Sequence, residues 1–147
     1  MKRTFTIIAI LIVTILTGCN RNAAEMVTEG KVIINKDERT ITFHGVLTDR
    51  TLEADTSFQT RFFLQGSTIR NAVGTDLVYT EKELKSDSNL KQSEEYEVQA
   101  TLEMKQPEKF DELIKVIKDK EEKAVTIEVI NEKGLIDEQV IHKVDEK

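Results

Sequence analysis

The amino-acid sequence predicts a mostly-β, sandwich-like domain carrying one packed α-helix. Three observations lead there. Ten consecutive residues from Glu95 to Met104 alternate strictly between polar and apolar side chains, the period of a strand with one wet and one buried face. Two hairpin patterns, each around a polar turn, lie near the two ends of the polar part of the chain. One stretch after Pro107 changes to the helical period. An α+β arrangement, a sheet covered by that helix, is the alternative.

Taken in order, Val32 and Ile34 alternate with polar neighbours, and Lys36-Asp37-Glu38 supplies a turn. Thr40, Thr42 and His44 then alternate with Ile41 and Phe43 as the returning strand, which runs on into Gly45-Val46. Ser57 to Gln65 is a further strand with Phe58, Phe62 and Leu64 on one face. Gly66 to Gly74 reads as a mobile connection, and Leu77 to Thr80 as a short strand. Pro107 opens a helix running to about Lys120, since proline gives up nothing in a first turn where its missing N–H would have no partner. Phe110, Leu113, Ile114 and Ile117 form its apolar stripe, read as core packing. Glu108, Asp111 and Glu112 lie near its positive end, and Lys118 and Lys120 near its negative one. Val125, Ile127 and Val129 form a strand, Asn131 to Gly134 a turn, and Leu135 to Val144 the last strand.

Leu90, Tyr96 and Val98 have the L-x5-Y-x-V spacing. It resembles the segment before the penultimate strand of immunoglobulin-like and fibronectin-type sandwiches, without the usual proline. That resemblance implies a tyrosine hydroxyl bonded back to the backbone near the preceding corner.

The N-terminus carries a separate message. Lys2 and Arg3 precede an uncharged apolar run from Phe5 to Leu16. Twelve residues are too few to span a bilayer, which takes roughly 20, but suit the apolar region of a signal peptide. Leu16-Thr17-Gly18-Cys19 follows, and resembles the lipobox of bacterial lipoproteins. The resemblance implies cleavage between Gly18 and Cys19, and a diacylglyceryl thioether on the Cys19 thiol, with acylation of the new N-terminus. Residues 1–18 are then a signal peptide, residues 19–28 a lipidated N-terminus with a short linker, and residues 29–147 a single globular β-rich domain. The localisation it implies is the extracytoplasmic face of the cell membrane, reached through the lipid on Cys19.

The composition fits that division. The chain has 147 residues, a net charge of -6, one cysteine, one proline and no tryptophan. Without its first eighteen residues it keeps 19 basic against 27 acidic side chains, a net charge of -8. Such a balance argues against nucleic acid as a partner, and an anionic bilayer would repel the domain, so the lipid is a tether. A single cysteine excludes an internal disulfide and a thiolate metal site.

Nothing in the sequence assembles catalytic chemistry. No serine lies in a nucleophile-elbow setting, and His44 and His142, the two histidines, read as solvated surface residues. Asp49, Glu53 and Asp55 cluster in one loop and Asp87-Ser88-Asn89 in another. Neither has calcium-loop spacing, so both read as solvated acidic loops and no metal or cofactor is expected. The expectation is a membrane-anchored lipoprotein that is not an enzyme. Its small interaction domain would act close to the outer face of the cytoplasmic membrane on an unknown protein partner. A negative regulator of a neighbouring membrane machine, of exclusion or immunity type, is one alternative, and an envelope hydrolase using paired carboxylates is another.

Overall fold

The computed structural model describes residues 24–87 and 92–147. Of the motifs above, residues 1–18, Cys19, and Ser88, Asn89 and Leu90 lie outside the described residues.

Among the described residues, eight strands form two four-stranded sheets. They are β1 (Val27–Asn35), β2 (Thr40–Thr48), β3 (Ser57–Leu64), β4 (Leu77–Lys85), β5 (Glu95–Glu103), β6 (Val125–Asn131), β7 (Gly134–Val140) and β8 (Val144–Glu146). Helix α1 (Ser67–Val73) joins β3 to β4, while a 3-10 turn (Pro107–Lys109) leads into α2 (Phe110–Lys118) between β5 and β6. The strand orders are β5-β2-β1-β8 and β4-β3-β6-β7. The run β5-β2-β1 together with β4-β3-β6-β7 has the connectivity of the A-B-E and C′-C-F-G sheets of immunoglobulin-type sandwiches, with β8 added parallel to β1. The mostly-β sandwich with a packed helix is therefore the fold.

Alternation builds the core. Val32 and Ile34 of β1 and Ile41, Phe43 and Leu47 of β2 turn inward against Phe58, Phe62 and Leu64 of β3 and Val125, Ile127 and Val129 of β6. The Phe43 and Phe62 rings meet across the two sheets at 5.4 Å between centroids. The α2 stripe of Phe110, Leu113, Ile114 and Ile117 is buried, as its spacing predicts. Gly45 of β2 leaves room for Ile127 of the opposite sheet. A Cβ there would lie 2.3 Å from Ile127 Cδ1 and 3.3 Å from Val98 Cγ2.

Three local expectations are corrected. The linker is shorter than residues 19–28, because Met26 is fully buried and β1 begins at Val27. The Asp137 carboxylate accepts the N–H groups of both Met26 and Val27 at 2.8 Å, and Ala24 N–H donates to the Ile136 carbonyl. Residues 66–74, read as a connection, contain α1. Gly66 (φ 98°) and Gly74 (φ 86°) take its two caps in backbone conformations that side chains disfavour, and Ile69, Ala72 and Val73 are buried. The last hairpin ends at Val140, after which the chain crosses sheets so that Val144–Glu146 pairs with β1.

Candidate functional site

The acidic loops singled out in the sequence do converge, but on a structural clamp. Asp49, 7% exposed at the end of β2, accepts Glu94 N–H on Oδ1 at 2.8 Å and Asp87 N–H on Oδ2 at 2.9 Å. The Tyr96 hydroxyl also reaches Oδ2 at 3.0 Å, with the Lys85 carbonyl at the same distance as a second acceptor. Burial pushes the Asp49 carboxyl up, yet the two N–H groups and the hydroxyl outweigh it and hold the group below the usual carboxylate range. Burial and the adjacent carboxylate push the Tyr96 phenol well above its ordinary value. Its ring stands edge-on to buried Phe58 at 5.4 Å. The tyrosine thus bonds back to the corner backbone as the resemblance implied. It does so at the start of β5, the third strand of the first sheet rather than the penultimate strand of the fold.

A second fastening completes the corner. Ser86 Oγ donates to the Glu53 carbonyl at 2.6 Å and accepts Thr56 N–H at 2.8 Å. Asp55 pairs with Lys85 at 3.2 Å. Each of these groups is engaged in holding chain to chain. Among the described residues no cluster of His, Cys, Asp and Glu is arranged to hold a metal ion.

The histidines differ from the solvated reading. His142 Nδ1 sits 3.0 Å from the Ile117 carbonyl at the end of α2, so the imidazole N–H caps a free helix carbonyl. The His44 side chain is only 14% exposed, with Nε2 3.7 Å from Glu97 Oε1. Its Nδ1 is buried without a hydrogen-bond partner among the described residues. Neighbouring strands cover a side chain that the alternation pattern alone assigns to water.

An opening lies between the edge strands of the two sheets. β4 and β5 face each other there without pairing, around an open cleft of about 580 Å³. Val78, Leu84, Val98, Ala100 and Leu102 give it apolar walls, and Glu81, Lys82 and Glu97 line its mouth. A larger groove of about 670 Å³ lies at the β6–β7 turn, where Asp55, Glu83, Glu132 and Lys133 stand among a mostly polar lining. Sequence reasoning missed the cleft because it depends on which strands end up at sheet edges. The signal that bears on it is the β5 alternation, which places Glu95, Glu97 and Glu103 on one face and Val98, Ala100 and Leu102 on the other.

Among the described residues no helix is long and apolar enough to cross a membrane. No family model matches the chain, and no curated protein matches it. A solved structure with some likeness is the Pseudomonas fluorescens alkylpurine DNA glycosylase AlkC bound to DNA containing an abasic site analog. The TM-score is 0.41 at 10% identity, over 83% of this chain and 31% of that one, too slight a likeness to bear on function.

Proposed function

We propose that this chain is a lipoprotein anchored through Cys19, with a sandwich that serves as a non-catalytic protein-interaction module against the outer face of the cytoplasmic membrane. The observation that carries the reading is the position of Met26. It lies in the core only seven residues after the lipobox cysteine. Only residues 20–23 separate Cys19 from Ala24, whose N–H is already bonded to the Ile136 carbonyl. At about 3.3–3.6 Å per residue that tether reaches roughly 18 Å, about half the width of a domain this size. A domain held so closely works on what is at the membrane surface.

Two features support binding over catalysis. The carboxylate at the centre of the acidic corner, Asp49, is taken up by backbone N–H groups and a tyrosine. The open cleft has apolar walls and a charged mouth, the make-up of a recognition surface.

The anchor is tested by Cys19→Ser. The wild-type chain is expected to fractionate with membranes as a shortened, lipid-bearing species by mass spectrometry, and the variant to keep its first eighteen residues and gain no lipid. A variant still processed and lipidated would overturn the reading.

A further inference from the structure

We propose that the open edge of β5 takes up an extended segment of another protein, in which basic and apolar residues alternate, as a fifth strand of the first sheet. This rests on the reading of the chain as an interaction module and names what the module binds.

The four sheet edges are unequal. β8 is three residues long. β7 is bulged against β6 between Val129 and Ile130, and Ala24 is bonded to its Ile136 carbonyl. β4 is distorted, with Thr80, Glu81 and Lys82 standing opposite the single Thr60 of β3. These are the usual protections of a sheet edge: shortness, bulges, cover and charged side chains, lysine above all. β5 has only charge, in Glu95, Glu97 and Glu103. It pairs with β2 through nine consecutive residues without a register shift and contains neither lysine nor proline.

Its backbone parity is fixed at both ends. Asp49 N–H donates to the Glu94 carbonyl, and Met104 N–H donates to the Arg39 carbonyl. In an antiparallel ladder the even-numbered residues of β5 therefore bond to β2, and Glu95, Glu97, Gln99, Thr101 and Glu103 turn their N–H and C=O groups to the open side. An added strand would meet those five residues. Its side chains on one face would enter the cleft beside Val98, Ala100 and Leu102, and those on the other would lie across from Glu95, Glu97 and Glu103. Apolar residues suit the first face and Lys or Arg the second. A second copy of β5 does not suit it, since two such edges would bring six glutamates together with no cation between them.

The probe is a fluorescein-labelled nine-residue peptide alternating Lys and Val, added to the full chain in detergent micelles at physiological salt. Two further peptides carry N-methyl groups, one on the Lys nitrogens and the other on the Val nitrogens. In an antiparallel addition the Lys residues face the odd-numbered residues of β5 and bond to them. Methylation at Lys is expected to weaken binding about tenfold or more, and methylation at Val to change it little. Equal binding of the two methylated peptides would mean attraction by charge alone, and would overturn the proposal.

Gln99→Pro removes an outward N–H without touching the β2 ladder, and is expected to abolish binding in a chain that still unfolds cooperatively. Glu97→Lys, which leaves the backbone intact, is expected to weaken it severalfold. Folded variants that bind like wild type would overturn the proposal. Photo-crosslinkers at Gln99 and at Glu138 of β7, in cells, separate this proposal from the reading beneath it. A membrane protein captured from Gln99 alone supports both. Capture from Glu138 alone overturns the edge proposal and leaves the module reading standing. Capture from neither position counts against the reading itself.

Discussion

Asp49 illustrates how little a residue type says about its task. In the sequence it is one acid among 27, in a loop rich in them. In the fold its two oxygens bind two distant N–H groups and a tyrosine, fastening the end of β2 to the segment between β4 and β5. Because its carboxyl titrates lower in the folded chain than the usual unfolded value of about 3.9, it stabilises the fold above that pH. The contribution fades as pH falls through the lower, folded value. Asp49→Asn should cost about 2–4 kcal/mol at pH 7, since an amide leaves an N–H donor facing another and loses the charge. The same variant should lose less stability than wild type between pH 7 and pH 3. Urea unfolding at the two pH values checks both, and equal pH sensitivity would remove Asp49 from the account. Tyr96→Phe keeps the contact with Phe58 and loses only the hydroxyl bond, so about 1 kcal/mol is expected in the same measurement.

At the level of elements, what was legible followed periodicity. The β5 alternation and the α2 stripe are read correctly because each pattern spans enough residues to outweigh local ambiguity. The segment that became α1 has two turns at most and glycine at both ends, so its buried residues, Ile69, Ala72 and Val73, show the i, i+3, i+4 spacing only once, too short a stretch to stand out. β8 was invisible for another reason. Three residues carry no pattern, and the parallel pairing with β1 is a product of the crossover after Val140. His44 was misread because alternation distinguishes the two faces of a strand, not how thickly its neighbours cover the outer one. The close approach of Ile127 to Gly45 across the sheets was also unreadable. Gly45→Ala would push a methyl into Ile127 and Val98, so the sheets must part or Ile127 must leave its place. A cost of about 1–3 kcal/mol is expected from overpacking, where an exposed strand site would gain from the same change. Thermal unfolding of Gly45→Ala alone and combined with Ile127→Val tests this. Partial rescue by the smaller partner is the expected sign of a steric cause, and additive losses would point elsewhere.

For the whole molecule, the proposed anchor makes the distance between Cys19 and the fold the decisive quantity. The sequence separates anchor from domain through the lipobox resemblance, but it overestimates the linker, because Met26 and Val27 sit in a polar stretch with no period of their own. Their place in the fold depends on Asp137, more than a hundred residues away, which no local pattern reveals. The shorter tether has a consequence that can be measured. A domain anchored as proposed, within about 18 Å of the bilayer, would meet a membrane-embedded partner at high effective concentration. Lengthening the tether dilutes that concentration without altering any contact. Twenty Gly/Ser residues inserted between Asn22 and Ala23 would raise the typical span to roughly 25–30 Å and the maximal one several-fold. Ala24, the first described residue, should keep its bond to Ile136, and the fold should be untouched. Lipidation and abundance are therefore expected to stay at wild-type levels while the in-cell crosslinking yield to a membrane partner falls. An unchanged yield with the long tether would mean that affinity, and not confinement, brings the two together, and the short linker would then have no part in function.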